Sequence, residues 1–270
     1  MLSNISLGRY VDTGSVLHRT DPRVKVILYM VYLIAIFVVD SPPALLALFV
    51  LTMIQLITAK IPLDVTWSTL KPILPLALFI FLLNVFTIKQ GGILWSWRFL
   101  TITDIGTTRA LLMALRLVFL ILSTSVLLTL TTTPLKIADA LESLLGPLKV
   151  FHVPVHEAAM MMSIALRFIP TLIEETDKIM KAQESRGANY DTGSALSRLK
   201  GYITVLIPLF VSSFKRAEDL AVAMDARCYR GGSNRTKLNP LKITGKDIIV
   251  LILFLAGAAL LIGVQIFYAQ

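Results

Sequence analysis

The sequence predicts an all-α integral membrane protein with about five transmembrane helices and a cytoplasmic region of about three amphipathic helices, two of them long. The 270 residues are 56% hydrophobic and 16% charged, with a mean hydropathy of +0.75, whereas soluble domains carry about a quarter charged residues. Apolar runs that approach the thickness of a bilayer recur along the chain. Between residues 131 and 246 apolar residues instead return at helical spacing among many charges.

The first two predicted spans lie at residues 24–39 and 44–59. Asp21-Pro22 is typical of a helix start, with Asp as the N-cap and Pro in the first turn. Pro42-Pro43 indicates two short helices joined by a tight turn; a re-entrant hairpin is the alternative. No small-x-small cleavage site follows the first run, so we expect that run to remain in the mature chain.

Two further spans are predicted at residues 72–88 and 107–130, after polar loops at residues 60–71 and 89–104. Pro75 should bend the start of the third span. Each of these spans also carries a polar residue that needs a partner at membrane depth.

These two polar residues are Asn84 and Arg116. They could line a polar pathway, or they could form one buried contact. A single Asn and a single Arg are a thin basis for a permeation route, so we favour the structural interpretation.

Residues 131–246 are predicted to form the cytoplasmic region, where sixteen Lys or Arg mix with eleven Asp or Glu. A short helix is expected from Thr133-Pro134 to Gly146-Pro147. Two long amphipathic patterns follow, at residues 154–186 and 194–229.

Prolines and methionines mark the two long patterns. Pro170 and Pro208 lie inside them and should kink or break the helices. Residues 160–162 are all Met, and Met180 follows on the same pattern. These side chains would form either ordinary helix packing or an adaptable apolar surface for a changing partner.

The distribution of basic residues predicts the topology. The N-terminus and residues 60–71 and 131–246 hold most of the Lys and Arg, whereas the turn at residues 40–43 and the C-terminal tail hold none. The positive-inside rule then places the N-terminus in the cytoplasm and the C-terminus outside the cell. The chain divides into three segments: an N-terminal segment with four spans (1–130), the cytoplasmic region (131–246), and a final span (247–270).

Two short segments with an Arg end the two long patterns. They read Ala182-Gln183-Glu184-Ser185-Arg186-Gly187 and Ala223-Met224-Asp225-Ala226-Arg227-Cys228. Each has an acid two residues before the Arg and a small residue between them. The candidate partner-binding residues are therefore Glu184, Ser185, Arg186, Gly187, Asp225, Ala226, Arg227 and Cys228.

These two segments have a structural and a functional interpretation. An Arg near a helix C-terminus interacts with the last carbonyls and with the helix dipole, by about 0.3–1 kcal/mol, and glycine after it is an ordinary helix stop. A guanidinium at a helix end also suits insertion into an acidic groove on a partner. Because the segment occurs twice, we favour two equivalent docking sites, such as a dimeric partner would offer.

Several other classes of protein are excluded or disfavoured. Gly245-Lys246-Asp247 lacks the upstream glycine and the hydroxyl of a phosphate-binding loop, so ATP would be bound by another chain, and we expect neither an enzyme nor a cofactor. Cys228 alone cannot form an intramolecular disulfide. His152 and His156 are separated by Pro154 and lack further ligands for a metal site. The net charge of +9 fits the positive-inside rule better than nucleic-acid binding.

The chain resembles a known family, the transmembrane scaffold (T component, EcfT) of energy-coupling factor transporters, over nearly its whole length. The segments that carry the resemblance are Gly8-x-Tyr10, residues 15–25, Ala165-Leu166-Arg167-Phe168-Ile169-Pro170 followed by Glu174, and the two Arg segments. The chain departs from the family at Cys228, where glycine is frequent. The second long helix could therefore end later, at Gly231-Gly232.

The resemblance implies a non-catalytic coupling subunit in a bacterial plasma membrane. In this family the scaffold joins two ABC-type ATPase subunits to a small membrane protein, the S component, which captures a vitamin or metal ion. Long coupling helices cross in an X, and their Arg-bearing ends dock in grooves on the ATPases. Arg186 and Arg227 would be the docking residues here.

Two other functions compete with this one. A secondary transporter or channel would need several intramembrane ionisable groups, and the spans offer Arg116 and little more. An intramembrane enzyme would need clustered carboxylates or His facing the bilayer. The dense acidic cluster at residues 174–177 lies instead in the predicted cytoplasmic region.

Overall fold

The computed structural model describes residues 10–97, 100–188, 190, 194–231 and 241–269, and most of them are helical. These residues fall into two compact units. The membrane unit comprises residues 10–140 and 241–269, and the long-helix unit comprises residues 141–231. Gly8 lies outside the described residues.

The elements of the membrane unit are α1 (Val16–Arg19), α2 (Pro22–Val38), α3 (Pro42–Ala59), α4 (Leu63–Leu70), α5 (Leu74–Thr87), β1 (Ile93–Trp97), β2 (Leu100–Thr103), α6 (Asp104–Thr124), a π-helical turn (Ser125–Leu130), the start of α7 (Pro134–Leu144) and α10 (Gly245–Ala269). The elements of the long-helix unit are the end of α7, a 3₁₀ turn (Gly146–Phe151), α8 (Val155–Ser185) and α9 (Ala195–Ala226).

Three helices in the described part of the chain are long and apolar enough to cross a membrane. They are α3, α6 with its π-helical turn, and α10. α4 and α5 would together make a fourth span, bent by 50° at the break between them. The protein is thus a helical, multi-pass membrane protein with three or four candidate spans. A fifth span would be α2, whose 17 residues give about 25 Å of helix.

The predicted start of α2 is confirmed. The Asp21 carboxylate accepts a hydrogen bond from the Arg23 amide at 2.8 Å, and Pro22 is the first helical residue. At its other end α2 stops at Val38, and α3 begins at Pro42. The two proline-marked starts therefore define two helices joined by a tight turn.

Both predicted loops in this unit contain regular structure, so the loop predictions were wrong there. Residues 63–70 form α4; eight residues make barely two helical turns, which is too short for an apolar period to be read from sequence. Residues 93–103 contain an antiparallel hairpin of β1 and β2. The signal for it is the density of Trp, Ile and Thr in two short runs.

The core of the membrane unit contains buried polar groups that are bonded to one another. The hydroxyl of Tyr32 lies 2.8 Å from that of Thr52 and donates to the carbonyl of Phe119 at 3.3 Å. Ser123 Oγ donates to Gln55 Oε1 at 2.8 Å. Unbonded polar groups are costly in an apolar interior, so these bonds help to fix how α2, α3 and α6 pack.

The outward faces of the same unit are apolar. Ile57 is 73% exposed, Leu253 is 68% exposed and Phe267 is 77% exposed. Large apolar patches are rare on the surface of soluble monomers. Contact with lipid accounts for them here.

Arg116 and Asn84, which were predicted to need partners, both have structural ones. Arg116 Nη2 pairs with Asp40 Oδ1 at 2.7 Å and also donates to the carbonyl of Val39. Asn84 Nδ2 donates to the carbonyl of Ile80 in its own helix at 2.8 Å. Arg116 and Asn84 therefore have separate partners, so the expectation of one buried contact between them is wrong.

We predict that Tyr32→Phe destabilises the membrane unit by about 1 kcal/mol, because the buried hydroxyl loses its hydrogen bonds. The measurement is the thermal unfolding of the detergent-solubilised full chain. Tyr29→Phe, on the same helix, is the matched control, because the Tyr29 hydroxyl has no hydrogen bond among the described residues. Equal melting temperatures for the two variants would contradict this role of Tyr32.

Candidate partner-binding site

Each long pattern is confirmed as a single helix that ends at an Arg segment. α8 runs for 31 residues to Ser185, and α9 runs for 32 residues to Ala226. Arg186 and Arg227 follow directly, so each takes the C-cap position of its helix. The two Arg residues therefore occupy equivalent positions at the ends of their helices.

The end of α8 is closed by two backbone hydrogen bonds. The amide of Gly187 donates to the carbonyl of Glu184 at 2.9 Å, and the amide of Ala188 donates to that of Gln183 at 3.0 Å. Gly187 is left-handed, with φ of 89°. This is the Schellman motif, which satisfies carbonyls that have no partner within the helix.

The end of α9 repeats the motif at the same positions. The amide of Cys228 donates to the carbonyl of Asp225 at 2.8 Å, and the amide of Tyr229 donates to that of Met224 at 3.0 Å. Arg227 thus has the same place in its motif as the C-cap Arg of α8. The similarity of the two Arg segments therefore extends from sequence to backbone geometry.

Cys228 occupies the position that glycine holds in α8, and it is left-handed with φ of 57°. The alternative helix end at Gly231-Gly232 is wrong, because α9 stops at Ala226; Gly232 itself lies outside the described residues. The backbone bonds after Met224 hold the chain in this turn despite the Cβ atom, which disfavours the left-handed region by about 1–2 kcal/mol.

The side chains at both ends face solvent. In the first segment Glu184, Ser185 and Arg186 are exposed, and in the second Asp225 and Arg227 are exposed. Ser185 Oγ donates back to the carbonyl of Lys181 at 3.0 Å. Within the described part of the chain neither guanidinium forms an ion pair, so both are available to an acidic partner.

α8 and α9 are joined by a polar contact that the sequence did not reveal. Arg216 Nη2 of α9 lies 2.5 Å from Glu175 Oε2 of α8, with 38% and 20% of the two side chains exposed. Ser212 Oγ donates to the other oxygen of the same carboxylate. The Glu175 carboxylate therefore accepts hydrogen bonds from side chains on two successive turns of α9.

This contact is equally distant from both helix ends along the chain. Arg186 lies eleven residues after Glu175, and Arg227 lies eleven residues after Arg216. Eleven residues are about three helical turns, or about 16 Å. Each C-cap Arg therefore stands at the end of an arm of the same length.

Pro170 and Pro208 do not break these helices. α8 continues from Val155 through Pro170, and α9 continues from Ala195 through Pro208. The prediction of a break is wrong, and the predicted kink stays a prediction. A proline removes one backbone hydrogen bond but need not end a helix that is supported on both sides.

Most of the apolar surface of α9 is exposed. The exposed residues recur every three or four positions. They include Leu196, Leu199, Ile203, Leu206, Ile207, Phe210, Val211 and Phe214. On α8, Met161 and Met162 are exposed as well. Such a surface needs lipid or a partner to cover it.

The start of α8 is joined to the end of α7 by a contact between two side chains. His156 Nδ1 lies 2.8 Å from Glu142 Oε1 at the end of α7. His152 is left-handed, with φ of 60°, in the turn between the two helices. The described residues contain no group of three or more His, Cys, Asp or Glu that could hold a metal ion.

Comparisons with known proteins identify the family. The model of the CbiQ family, described as "Cobalt transport protein", matches residues 13–238, which include both Arg segments. A protein of Ruminiclostridium cellulolyticum named "Energy-coupling factor transporter transmembrane protein EcfT" is 50% identical over 250 residues, covering 93% of each chain. The chain belongs to this family. The recognition made from the sequence motifs is thereby confirmed.

Further relatives in the EcfT family extend the match to the full length of the chain. A Bacillus subtilis protein of the same name is 46% identical over 263 residues, covering 97% of this chain and 98% of the relative. A Streptococcus thermophilus protein of that name is 42% identical over 269 residues, covering 100% of both. Membership in the EcfT family thus concerns the membrane unit and the long-helix unit alike.

We predict that Cys228→Gly strengthens the end of α9. Glycine adopts the left-handed region freely, so the net gain should be about 0.5–1 kcal/mol. Hydrogen exchange of the Tyr229 amide should slow by about two- to fivefold.

The matched control is Cys228→Ala, which removes the thiol but keeps the Cβ atom and should leave the exchange rate unchanged. Gly187→Ala should accelerate exchange of the Ala188 amide at the other end. If Cys228→Ala slowed exchange as much as Cys228→Gly, backbone strain would not be the cause.

Proposed function

We propose that the chain is the non-catalytic transmembrane coupling subunit of an ABC-type energy-coupling factor importer. It would transmit ATP-driven motion of two ATPase subunits to a substrate-binding membrane subunit for vitamin or metal-ion uptake. The names of the relatives, which are energy-coupling factor transporter transmembrane proteins, support this role. The observation that carries the proposal is the pair of identically built helix ends with an exposed Arg at each C-cap.

In this proposal five helices cross the plasma membrane, with the N-terminus in the cytoplasm and the C-terminus outside. The first segment (residues 1–130) and the last (residues 247–270) supply the spans. Residues 131–246 form the cytoplasmic coupling region. The charge distribution along the chain supports this orientation.

Each ATPase would receive one helix end. Arg186 and Arg227 would enter acidic grooves, where a planar guanidinium can donate several hydrogen bonds at once. Ser185 and Ala226, next to them, are small and leave room for the groove wall. The first docking surface also includes Glu184 and Gly187, and the second also includes Asp225 and Cys228. Because the two motifs make the same backbone hydrogen bonds at corresponding residues, they fit two copies, or two close relatives, of one partner.

The contact between Glu175 and Arg216 would make the two arms act together. A partner that moves Arg186 would also apply force to the ion pair between Glu175 and Arg216. That force would reach α9 through Arg216. The carboxylate is held by two donors and is mostly buried, so the link is stronger than an exposed ion pair. Motion at one ATPase would thereby reach the helix that contacts the other.

The exposed apolar stripe on α9 is the surface that we assign to the substrate-binding membrane subunit. Its side chains recur on one helical face, and the Met side chains of α8 can adapt to partners of different shape. A secondary transporter with its own substrate pathway gains no support, because Arg116 and Asn84 are both engaged in structural contacts.

We predict that Arg186→Glu combined with Arg227→Glu prevents assembly with the ATPases. A reversed charge in an acidic groove should lower their recovery about tenfold or more. The measurement is co-purification of the tagged full chain with its ATPase partners from native membranes, with identification by mass spectrometry.

The matched control is Lys200→Glu with Lys215→Glu, which makes the same charge change at exposed positions of α9 and should leave recovery unchanged. Each single Arg variant should retain one ATPase. Full recovery of two ATPases by the double Arg variant would refute the docking sites.

We predict that Glu175→Arg or Arg216→Glu alone uncouples ATP hydrolysis from uptake, because each leaves two like charges in contact. The combined exchange restores opposite charges and should recover at least part of the uptake. The measurement is the ratio of substrate uptake to ATP hydrolysis in proteoliposomes holding the whole complex. Normal coupling in both single variants would show that this ion pair transmits nothing.

A further inference from the structure

A cavity of about 570 Å³ opens in the membrane unit at the start of α2 and α10. It is lined by residues from separate parts of the chain, among them Tyr10, Arg19, Lys25, Lys136 and Lys242. Cavities of this volume are typical of sites for small molecules and lipid headgroups. None of the proposed docking residues lies near it in the sequence.

Cations outnumber acids in the lining of this cavity. Arg19, Lys25, Lys136 and Lys242 contribute four positive charges, and the two acids that line it are Asp12 and Asp21. One oxygen of each acid is already used locally. Asp12 Oδ1 accepts from the amide of Gly14 at 3.1 Å, and Asp21 Oδ1 accepts from the first turn of α2. These hydrogen bonds leave both carboxylates charged, and the buried Asp247 is also close enough to interact with Lys25. The four cations still outnumber these three acids by one, so the cavity favours an anion.

Three of the four cations are free to bind that anion. Lys25 is 1% exposed, and its ammonium group donates to the carbonyl of Thr131 at 2.8 Å and to the hydroxyl of Thr132 at 3.1 Å. It forms the floor of the cavity. Arg19, Lys136 and Lys242 are exposed and form no ion pair with any described residue.

The position of the cavity indicates what kind of anion it accepts. Exposed apolar side chains begin within about two turns of the cavity on α2 (Ile27, 37%, and Met30, 52%) and at the start of α10 (Ile248, 49%, and Ile249, 58%). The cations thus stand where the apolar, lipid-facing surface begins. That is the level of phospholipid headgroups. In the orientation given under the proposed function, on which this step rests, the cavity faces the cytoplasm, and basic pockets between helices on that side bind anionic headgroups.

We propose that this cavity binds the phosphate headgroup of an anionic phospholipid of the cytoplasmic leaflet. Arg19, Lys136 and Lys242 contact the phosphate, and the acyl chains lie along the exposed side chains of α2 and α10. A free phosphate ion would use the same cations but would gain nothing from the apolar surface. The lipid is therefore the favoured source.

The test is retention of phosphatidylglycerol by the purified full chain in detergent, measured by native mass spectrometry. Lys136→Gln with Lys242→Gln should lower retention about tenfold. The matched control, Lys60→Gln with Lys71→Gln, removes the same charge at exposed positions outside the cavity and should retain the lipid as the unmodified chain does. Lys136→Arg with Lys242→Arg keeps the charge and should restore retention.

Other probes separate the possible ligands. Phosphatidylcholine, which is zwitterionic, should be retained much less than phosphatidylglycerol. Millimolar inorganic phosphate should not displace the lipid, and displacement would assign the cavity to a free anion instead. Phosphatidylglycerol should raise the melting temperature of the control variant but not that of Lys136→Gln with Lys242→Gln. Equal retention by both Gln variants would overturn the proposal.

Discussion

The last carbonyls of a helix need hydrogen-bond donors, and the chain meets this requirement in the same way at the ends of α8 and α9. The two backbone bonds of the Schellman motif fix the direction in which the chain leaves each helix. They thereby fix the C-cap residue, which is Arg in both cases. The equivalence of Arg186 and Arg227 is thus a property of the backbone, and their side chains need no mutual contact to be presented alike.

The two units are stabilised by different means. The membrane unit has a continuous apolar core with bonded polar groups in it, such as Tyr32 with Thr52 and Gln55 with Ser123. In the described parts of α8 and α9, by contrast, Val155 and Val205 are the buried apolar side chains. Helices with so few buried contacts have low local stability. This difference is consistent with the proposed function, in which the long helices move while the membrane unit stays anchored.

Much of this architecture could be predicted from sequence, because helix signals are local. Asp21-Pro22, the apolar runs and the two long amphipathic patterns predicted the bounds of these helices to within about three residues. What sequence could not give were contacts between distant residues, such as Glu175 with Arg216 and Arg116 with Asp40, because nothing local marks a partner. The β1–β2 hairpin and α4 were missed because each element is too short to show the regular spacing of apolar residues that marks a strand or a helix. Because glycine usually occupies the left-handed position after a helix, Cys228 suggested that α9 ends later. The backbone hydrogen bonds of the Schellman motif instead hold Cys228 in that conformation despite its Cβ atom.

Under the proposed function, the equal spacing of the two helix ends from the Glu175–Arg216 contact has a mechanical consequence. Two rods that turn about a shared fulcrum, with levers of the same length, sweep through equal arcs at their tips. Arg186 and Arg227 would then move through equal distances during each movement of the helices. A pair of motors pushing on such tips would stay in phase without any signal passing directly between them.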